Sequence, residues 1–276
     1  MSGFLGTGSE ESVEHQWNGS VQWAFLAGAA VGLLGGLIGL GGAEFRLPLL
    51  IGIFGFAALQ AVILNKAMSL IVVVTALPAR LVGGEPWSAV SPHWAVAVNL
   101  LAGSLLGAWI GASWATRMRS ATLYRVLAVL LVLIAAALAA SHLGRVESVG
   151  MSGAPQVIAG VAAGMLIGVV AALMGVAGGE LLIPTIVLLF GLDIKVAGTL
   201  SLAVSLPTML VAFSRYSRDA SFVVLRQNSR FVLAMATGSV AGAVAGGFLL
   251  GVVPSVVLIP ALCVLLIISA IKVWRH

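Results

Sequence analysis

The sequence predicts an all-α polytopic membrane protein: two inverted repeats of five hydrophobic segments each, with broken helices at glycine-rich, proline-bearing motifs. Three observations carry that prediction. Of 276 residues, 61% are hydrophobic and only 8% charged, at a mean hydropathy of +1.15. Soluble domains carry about 25% charged residues, so these charges cannot coat a water-exposed surface. The chain also repeats itself, and the basic loops of its two copies are unequal in a way that sets them on opposite sides of a membrane.

The chain reads as a single transmembrane domain over 1–276, with a polar tail at 1–19, a first repeat at 20–142 and a second at 156–274. The tail carries Glu10, Glu11 and Glu14 and has no basic stretch before an apolar one, unlike a signal peptide. Trp17 and Trp23 then read as interfacial anchors of the first helix. Apolar runs follow at about 21–42, 46–60, 61–82, 94–114 and 123–142, and again at 157–178, 182–196, 197–214, 231–250 and 256–273. At about 20 apolar residues per span there is room for roughly eight to ten spans. The short runs 46–60 and 182–196 can be spans or re-entrant half-helices.

A shift of 136 residues lays 27–70 on 163–206 without a gap, and 15 of the 44 pairs are identical. The matches include Gly39 with Gly175, Gly42 with Gly178, Glu44 with Glu180, Pro48 with Pro184 and Ser69 with Ser205. At a shift of 135, Arg80 meets Arg215, and Gly103, Gly107 and Gly111 meet Gly238, Gly242 and Gly246. Cytoplasmic loops concentrate Lys and Arg. Loop 214–230 holds Arg215, Arg218, Arg226 and Arg230, whereas its counterpart 80–93 holds Arg80 alone. Loop 115–125 has Arg117, Arg119 and Arg125, whereas its counterpart 250–256 has no basic residue. Equivalent loops then face opposite sides, as in the inverted repeats of secondary transporters. Gly28, Gly32 and Gly36, and likewise Gly160, Gly164 and Gly168, recur every four residues, which suits close helix packing in lipid.

The organising stretches are Gly39-Leu40-Gly41-Gly42-Ala43-Glu44-Phe45-Arg46-Leu47-Pro48 and Gly175-Val176-Ala177-Gly178-Gly179-Glu180-Leu181-Leu182-Ile183-Pro184. Each interrupts an apolar run with glycines, one carboxylate and a proline. A carboxylate inside a membrane segment is costly and marks a functional candidate. Glu44 and Glu180 are therefore expected to be proton-coupling groups, the alternative being helix caps at the membrane surface. A broken helix frees backbone N–H groups, and a helix N-terminus favours anions. The amides of Gly41, Gly42 and Ala43, and of Ala177, Gly178 and Gly179, are thus candidate substrate ligands. Proline is tolerated in a first turn, which suits Pro48 and Pro184 if the next segments open near Arg46 and Leu182.

The third segment of each half opens with polar groups, Asn65, Lys66 and Ser69 in one and Thr199, Ser201 and Ser205 in the other. Residues four apart share a helix face, so these join the candidate substrate-binding set. Lys66 can pair with Glu44, attract the substrate, or snorkel to the interface. Arg80 and Arg215 suit interfacial anchors, and Pro78 and Pro207 should kink or end their helices.

No histidine pair has metal-ligand spacing, so no metal site and no cofactor is expected. No nucleotide-binding Gly-Lys-Ser/Thr loop occurs, and Asp193 and Asp219, the only aspartates, lie near loops. An enzyme is not expected. The net charge of +5 reflects basic loops rather than nucleic-acid binding. Cys263 lies in an apolar run as a packed thiol.

The two motifs, together with Phe190-Gly191-Leu192-Asp193-Ile194-Lys195 leading into Thr199-Leu200-Ser201-Leu202, resemble the sulfite exporter TauE/SafE family of bacterial membrane proteins over about 20–274. The resemblance implies a permease of the bacterial cytoplasmic membrane for sulfite, sulfonates or related organic anions. Its partners would be that anion and membrane lipid, with a homo-oligomer compatible. Ala43 and Ala177 stand where a third glycine is common in the family, and Glu44 and Glu180 where many members are apolar. The alternatives are an anion channel and a membrane assembly partner or sensor that transports nothing.

Overall fold

The computed structural model describes residues 18–38, 42–83, 90–143, 150, 152–248 and 255–275; the tail before Asn18, and Gly41, lie outside them. The described residues are all-helical, without a strand: α1 (Asn18–Ile38), α2 (Ala43–Gly52), α3 (Ala58–Gly83), α4 (Trp94–Arg117), α5 (Ser120–Leu143), α6 (Ala154–Met174), α7 (Gly179–Phe190), α8 (Ile194–Tyr216), α9 (Val223–Gln227), α10 (Ser229–Phe248) and α11 (Ser255–Trp274). Among them, five helices are long and apolar enough to cross a membrane, within α3, α4, α6, α8 and α10. Trp23, Leu106, Ile158 and Leu166 point outward, each more than 60% exposed, an apolar exterior suited to lipid.

The expected segment bounds shift at the short helices. Residues Ala43–Gly52 and Gly179–Phe190 are helical where runs beginning near 46 and 182 were expected. At 1.5 Å per residue these helices reach only about 15 and 18 Å, half a bilayer core. Gly191 then turns left-handed (φ 66°), and Asp193 caps α8 by accepting from the Lys195 N–H at 2.8 Å. Pro78 and Pro207 do not end their helices, since α3 and α8 run on past them.

The halves of the chain pack crosswise. Helix α1 lies on α10, α4 on α6, α5 on α11, and α3 on α8. Small residues make the first two pairs close. A Cβ on Gly28 or Gly32 would strike the backbone at Met235 or Ser239, and one on Gly238 or Gly242 the backbone at Phe25 or Ala29. In the other pair, Gly103 and Gly107 meet the backbone at Val161 and Met165, while Gly164 and Gly168 meet Leu100 and Ser104. Lipid tails are as apolar as the side chains, so van der Waals packing must supply the attraction here. Gly107→Ala would push its methyl into the Met165 carbonyl oxygen. It is expected to destabilise the folded protein by about 1–3 kcal/mol in a detergent unfolding titration. Unchanged stability would show that α4 and α6 can separate freely.

Some polar contacts among the described residues cross between helices. Ser104 Oγ and Thr208 Oγ1 share a 2.7 Å hydrogen bond between α4 and α8. Asn99 Nδ2 donates to the Val157 carbonyl of α6 at 3.0 Å. Phe231 of α10 meets Phe54 and Phe56 edge-on at 4.9 and 5.4 Å, packing it against the chain that follows α2.

Candidate functional site

Both short helices start from a left-handed glycine. Gly42 (φ 70°, ψ 17°) precedes α2, and Gly178 (φ 85°, ψ 4°) precedes α7. A side chain is strained at such φ, and at Gly42 a Cβ would also strike the Val31 carbonyl oxygen. Neither glycine has a side chain to cap its helix. In α2 the Phe45 and Arg46 N–H groups both donate to the Gly42 carbonyl (3.2 and 3.3 Å). In α7 the Leu181 and Leu182 N–H groups donate to the Gly178 carbonyl (3.1 and 2.9 Å). The amides of residues 43 and 44, and of 179 and 180, precede the first helical bonds, leaving at each N-terminus a cradle of N–H groups of the kind that favours an anion.

Glu44 and Glu180 stand at those N-termini, each carboxyl near its own backbone N–H. The two carboxyls also lie against one another, so the α2 and α7 N-termini, one from each half, meet at this point. Glu44 is only 2% exposed. Glu180 is partly exposed, yet its Oε1 and the Oε2 of Glu44 are both sealed from solvent and without a hydrogen-bond partner. The glutamates therefore stand in the first turns of their helices inside the bundle rather than at its surface.

The prolines stand deeper than expected, Pro48 and Pro184 each being the sixth residue of its helix. At that place proline removes the N–H that would bond the carbonyl four residues back, which is the carbonyl of Glu44 or Glu180. Each motif thus leaves one glutamate's backbone oxygen without its helical partner.

The polar heads of the third segments hold this arrangement together. Asn65 Nδ2 donates to the Ala43 carbonyl at 3.0 Å and the Met174 carbonyl at 3.1 Å, tying the start of α2 to the end of α6. Lys66 is fully buried, so it does not snorkel. Its Nζ donates to the Ala171 and Val176 carbonyls at 2.8 and 2.6 Å and lies within electrostatic reach of Glu180 rather than Glu44. Tyr216, which the sequence did not single out, donates its hydroxyl to the Ala172 carbonyl at 2.8 Å. Three side chains thus serve carbonyls at the C-terminus of α6, where helical partners run out.

In the second half, Ser201 Oγ would lie 4.0 Å from a Cβ on Gly179, standing over α7 as Asn65 stands over α2. Its hydroxyl donates to the Gly198 carbonyl (2.8 Å), and that of Thr199 to the Lys195 carbonyl (3.3 Å), so both spend their protons inside α8. Ser69 and Ser205 are buried with no partner for either hydroxyl. Ala177 is half-buried, just before Gly178. Arg215 lies elsewhere, its Nε donating to Ser113 Oγ at 2.9 Å and its guanidinium 5.9 Å from the Trp109 ring.

The residue that sequence reasoning passed over is Arg46. It is fully buried, and its Nε, Nη1 and Nη2 are all sealed and without a hydrogen-bond partner. Its nearest charged influence is Glu44. The signal was there to find, because any ionisable residue inside an apolar run is a candidate. The site thus runs Arg46, Glu44, Glu180, Lys66, with two cations flanking two carboxyls.

A family model described as Sulfite exporter TauE/SafE matches residues 24–273. No curated protein and no solved structure matches the chain.

Proposed function

The chain belongs to the sulfite exporter TauE/SafE family and is a multi-pass membrane protein of an anion-transporter type; from that premise we propose that it is a proton-coupled secondary carrier of small sulfur-containing or organic anions in the bacterial cytoplasmic membrane. The observation that carries this reading is the meeting of two carboxyl-bearing helix N-termini, one from each half, in the buried centre of the bundle. The crosswise packing of α1 on α10 and α4 on α6, with the same glycine spacing in both, supports two inverted repeats. The left-handed glycines before α2 and α7 support helices broken at the motifs.

The chemistry follows from competition. Each cradle of N–H groups can bind one anion, and in this conformation the apposed glutamate carboxyls, which share a proton because like charges in contact do not both ionise, hold that place. A substrate can enter only by displacing a carboxylate. A displaced carboxylate in a dry centre has lost its donors and takes a proton from the same aqueous side. Anion and proton then cross together, and both leave when the carboxylate returns to its cradle. Ser69 and Ser205 supply free hydroxyl donors to the anion. The two halves exchange roles as the site opens to one side and then the other.

The test is proton movement in proteoliposomes containing only this protein, with a pH dye inside. Sulfite, sulfate, thiosulfate, taurine and sulfoacetate are added outside in turn, with protein-free vesicles correcting for passive entry. Interior acidification with a subset of these anions is the expected result. Labelled-anion flux without acidification would overturn the coupling, and the lack of both would overturn the carrier.

A further inference from the structure

Arg46 occupies a place where the fold gives its guanidinium no hydrogen-bond acceptor. It is the fourth residue of α2, at the positive end of the helix, where a cation is disfavoured. Its side chain is fully buried, and none of its three guanidinium nitrogens has a hydrogen-bond partner. A guanidinium carries five N–H donors, and leaving a buried charge unpaired is among the most costly arrangements in a protein. Nor does the architecture require a charge there. The matched residue of the second half is Leu182, equally buried in α7. The other cation of the centre behaves differently, because Lys66 spends its donors on the Ala171 and Val176 carbonyls. Only Arg46 retains its full donor set, next to the N-terminus at which the Glu44 carboxyl stands.

We propose that Arg46 is the residue that grips the substrate's charged end, its planar fork taking two oxygens of one sulfonate or sulfite group beside the α2 N-terminus. This deepens the carrier reading above and rests on it. The fork distinguishes an oxyanion from a single-atom anion, because two parallel N–H···O bonds need two oxygens on one centre. The site then favours oxyanions over halides and is asymmetric, with the head group held by the first half alone.

The experiment is equilibrium binding of sulfite and of methanesulfonate to the purified full-length protein, with chloride as the single-atom comparison and thermal unfolding measured alongside. Arg46→Leu, which installs the second half's residue, is expected to weaken binding of both probes about a hundredfold, the loss of a charge-assisted bidentate contact. Its unfolding temperature in the absence of anion is expected to match or exceed that of the native protein. Arg46→Lys keeps the charge without the fork, and is expected to lose about tenfold in oxyanion binding while chloride binding stays level. A lowered unfolding temperature in Arg46→Leu would make Arg46 a structural residue and overturn the proposal. So would native-like oxyanion binding by that variant while the native protein binds and carries the probes. Failure of the native protein to bind either probe would overturn this inference, and failure to carry any of the five anions named above would overturn the carrier reading with it.

Discussion

With both carboxyls replaced, as Glu44→Gln and Glu180→Gln together, proteoliposomes are expected to carry anion without protons. In the native protein a gradient of one pH unit, acid outside, is worth about 1.4 kcal/mol per proton. With one proton per monovalent anion and the membrane potential clamped, that supports about tenfold accumulation. The double variant is expected to equilibrate the anion and accumulate none. The pH dependence has a definite sign. The protonated carboxyl is the form that vacates its cradle, so native uptake rises as the outside pH falls, and the variant's profile is flat. Glutamine keeps the shape and can still meet its neighbour, but it neither releases a proton nor competes for the cradle as an anion. Anion affinity is therefore expected to rise in the double variant while coupling vanishes. Either single change leaves one exchangeable carboxyl at the meeting point of α2 and α7 and should weaken the dependence without abolishing it. A double variant with an unchanged pH profile would remove both glutamates from the proton path.

The motif spacing made much of this site legible. Gly42 with Gly178, Glu44 with Glu180 and Pro48 with Pro184 are read directly from the 136-residue shift, and of these the two glutamates do meet. Polar residues at the head of a third segment pointed to Asn65, Lys66, Ser69, Ser201 and Ser205, all of which are buried. What a linear reading cannot supply is the partner of each group. Lys66 could be set beside Glu44 on sequence grounds, yet it reaches across to the end of α6, which lies 105 residues away along the chain. Tyr216 gave no signal, because an aromatic beside Arg215 looks like an interfacial pair until its hydroxyl is found on Ala172. The start of α2 was misjudged for a local reason. Pro48 suggested a first turn, whereas Gly42 sets the helix start by its left-handed backbone. Arg46 was visible as a letter but not as a vacancy. Only burial reveals that its donors are empty.

Lys66→Met is expected to be the most damaging single change to the fold of the centre. Lys66 donates to two carbonyls, one in the last turn of α6 and one in the turn that leads to Gly178. Methionine fills a similar volume and supplies no donor. The Ala171 carbonyl would keep the Val176 N–H at 3.1 Å, so the main cost falls on the Val176 carbonyl, about 1–3 kcal/mol, and the negative end of α6 would lose its cation. A loss of that size is a large fraction of the stability of many proteins. It is read as the midpoint of a denaturant titration in detergent, with the protein recovered after membrane extraction as a second measure. The contrast with Arg46 gives the experiment its force. Both residues are fully buried cations in the same centre. One has its donors placed on carbonyls, so its loss should cost stability; the other has its donors free, so its loss should cost only the ligand. In whatever folded fraction of Lys66→Met survives, sulfite binding is expected to stay within about threefold of native, well under the 1.4 kcal/mol of a tenfold change. A stable Lys66→Met protein that no longer binds sulfite would reverse the assignment, making Lys66 the ligand and leaving the shape of the α6–α7 break to the hydroxyl of Tyr216 and the amide of Asn65.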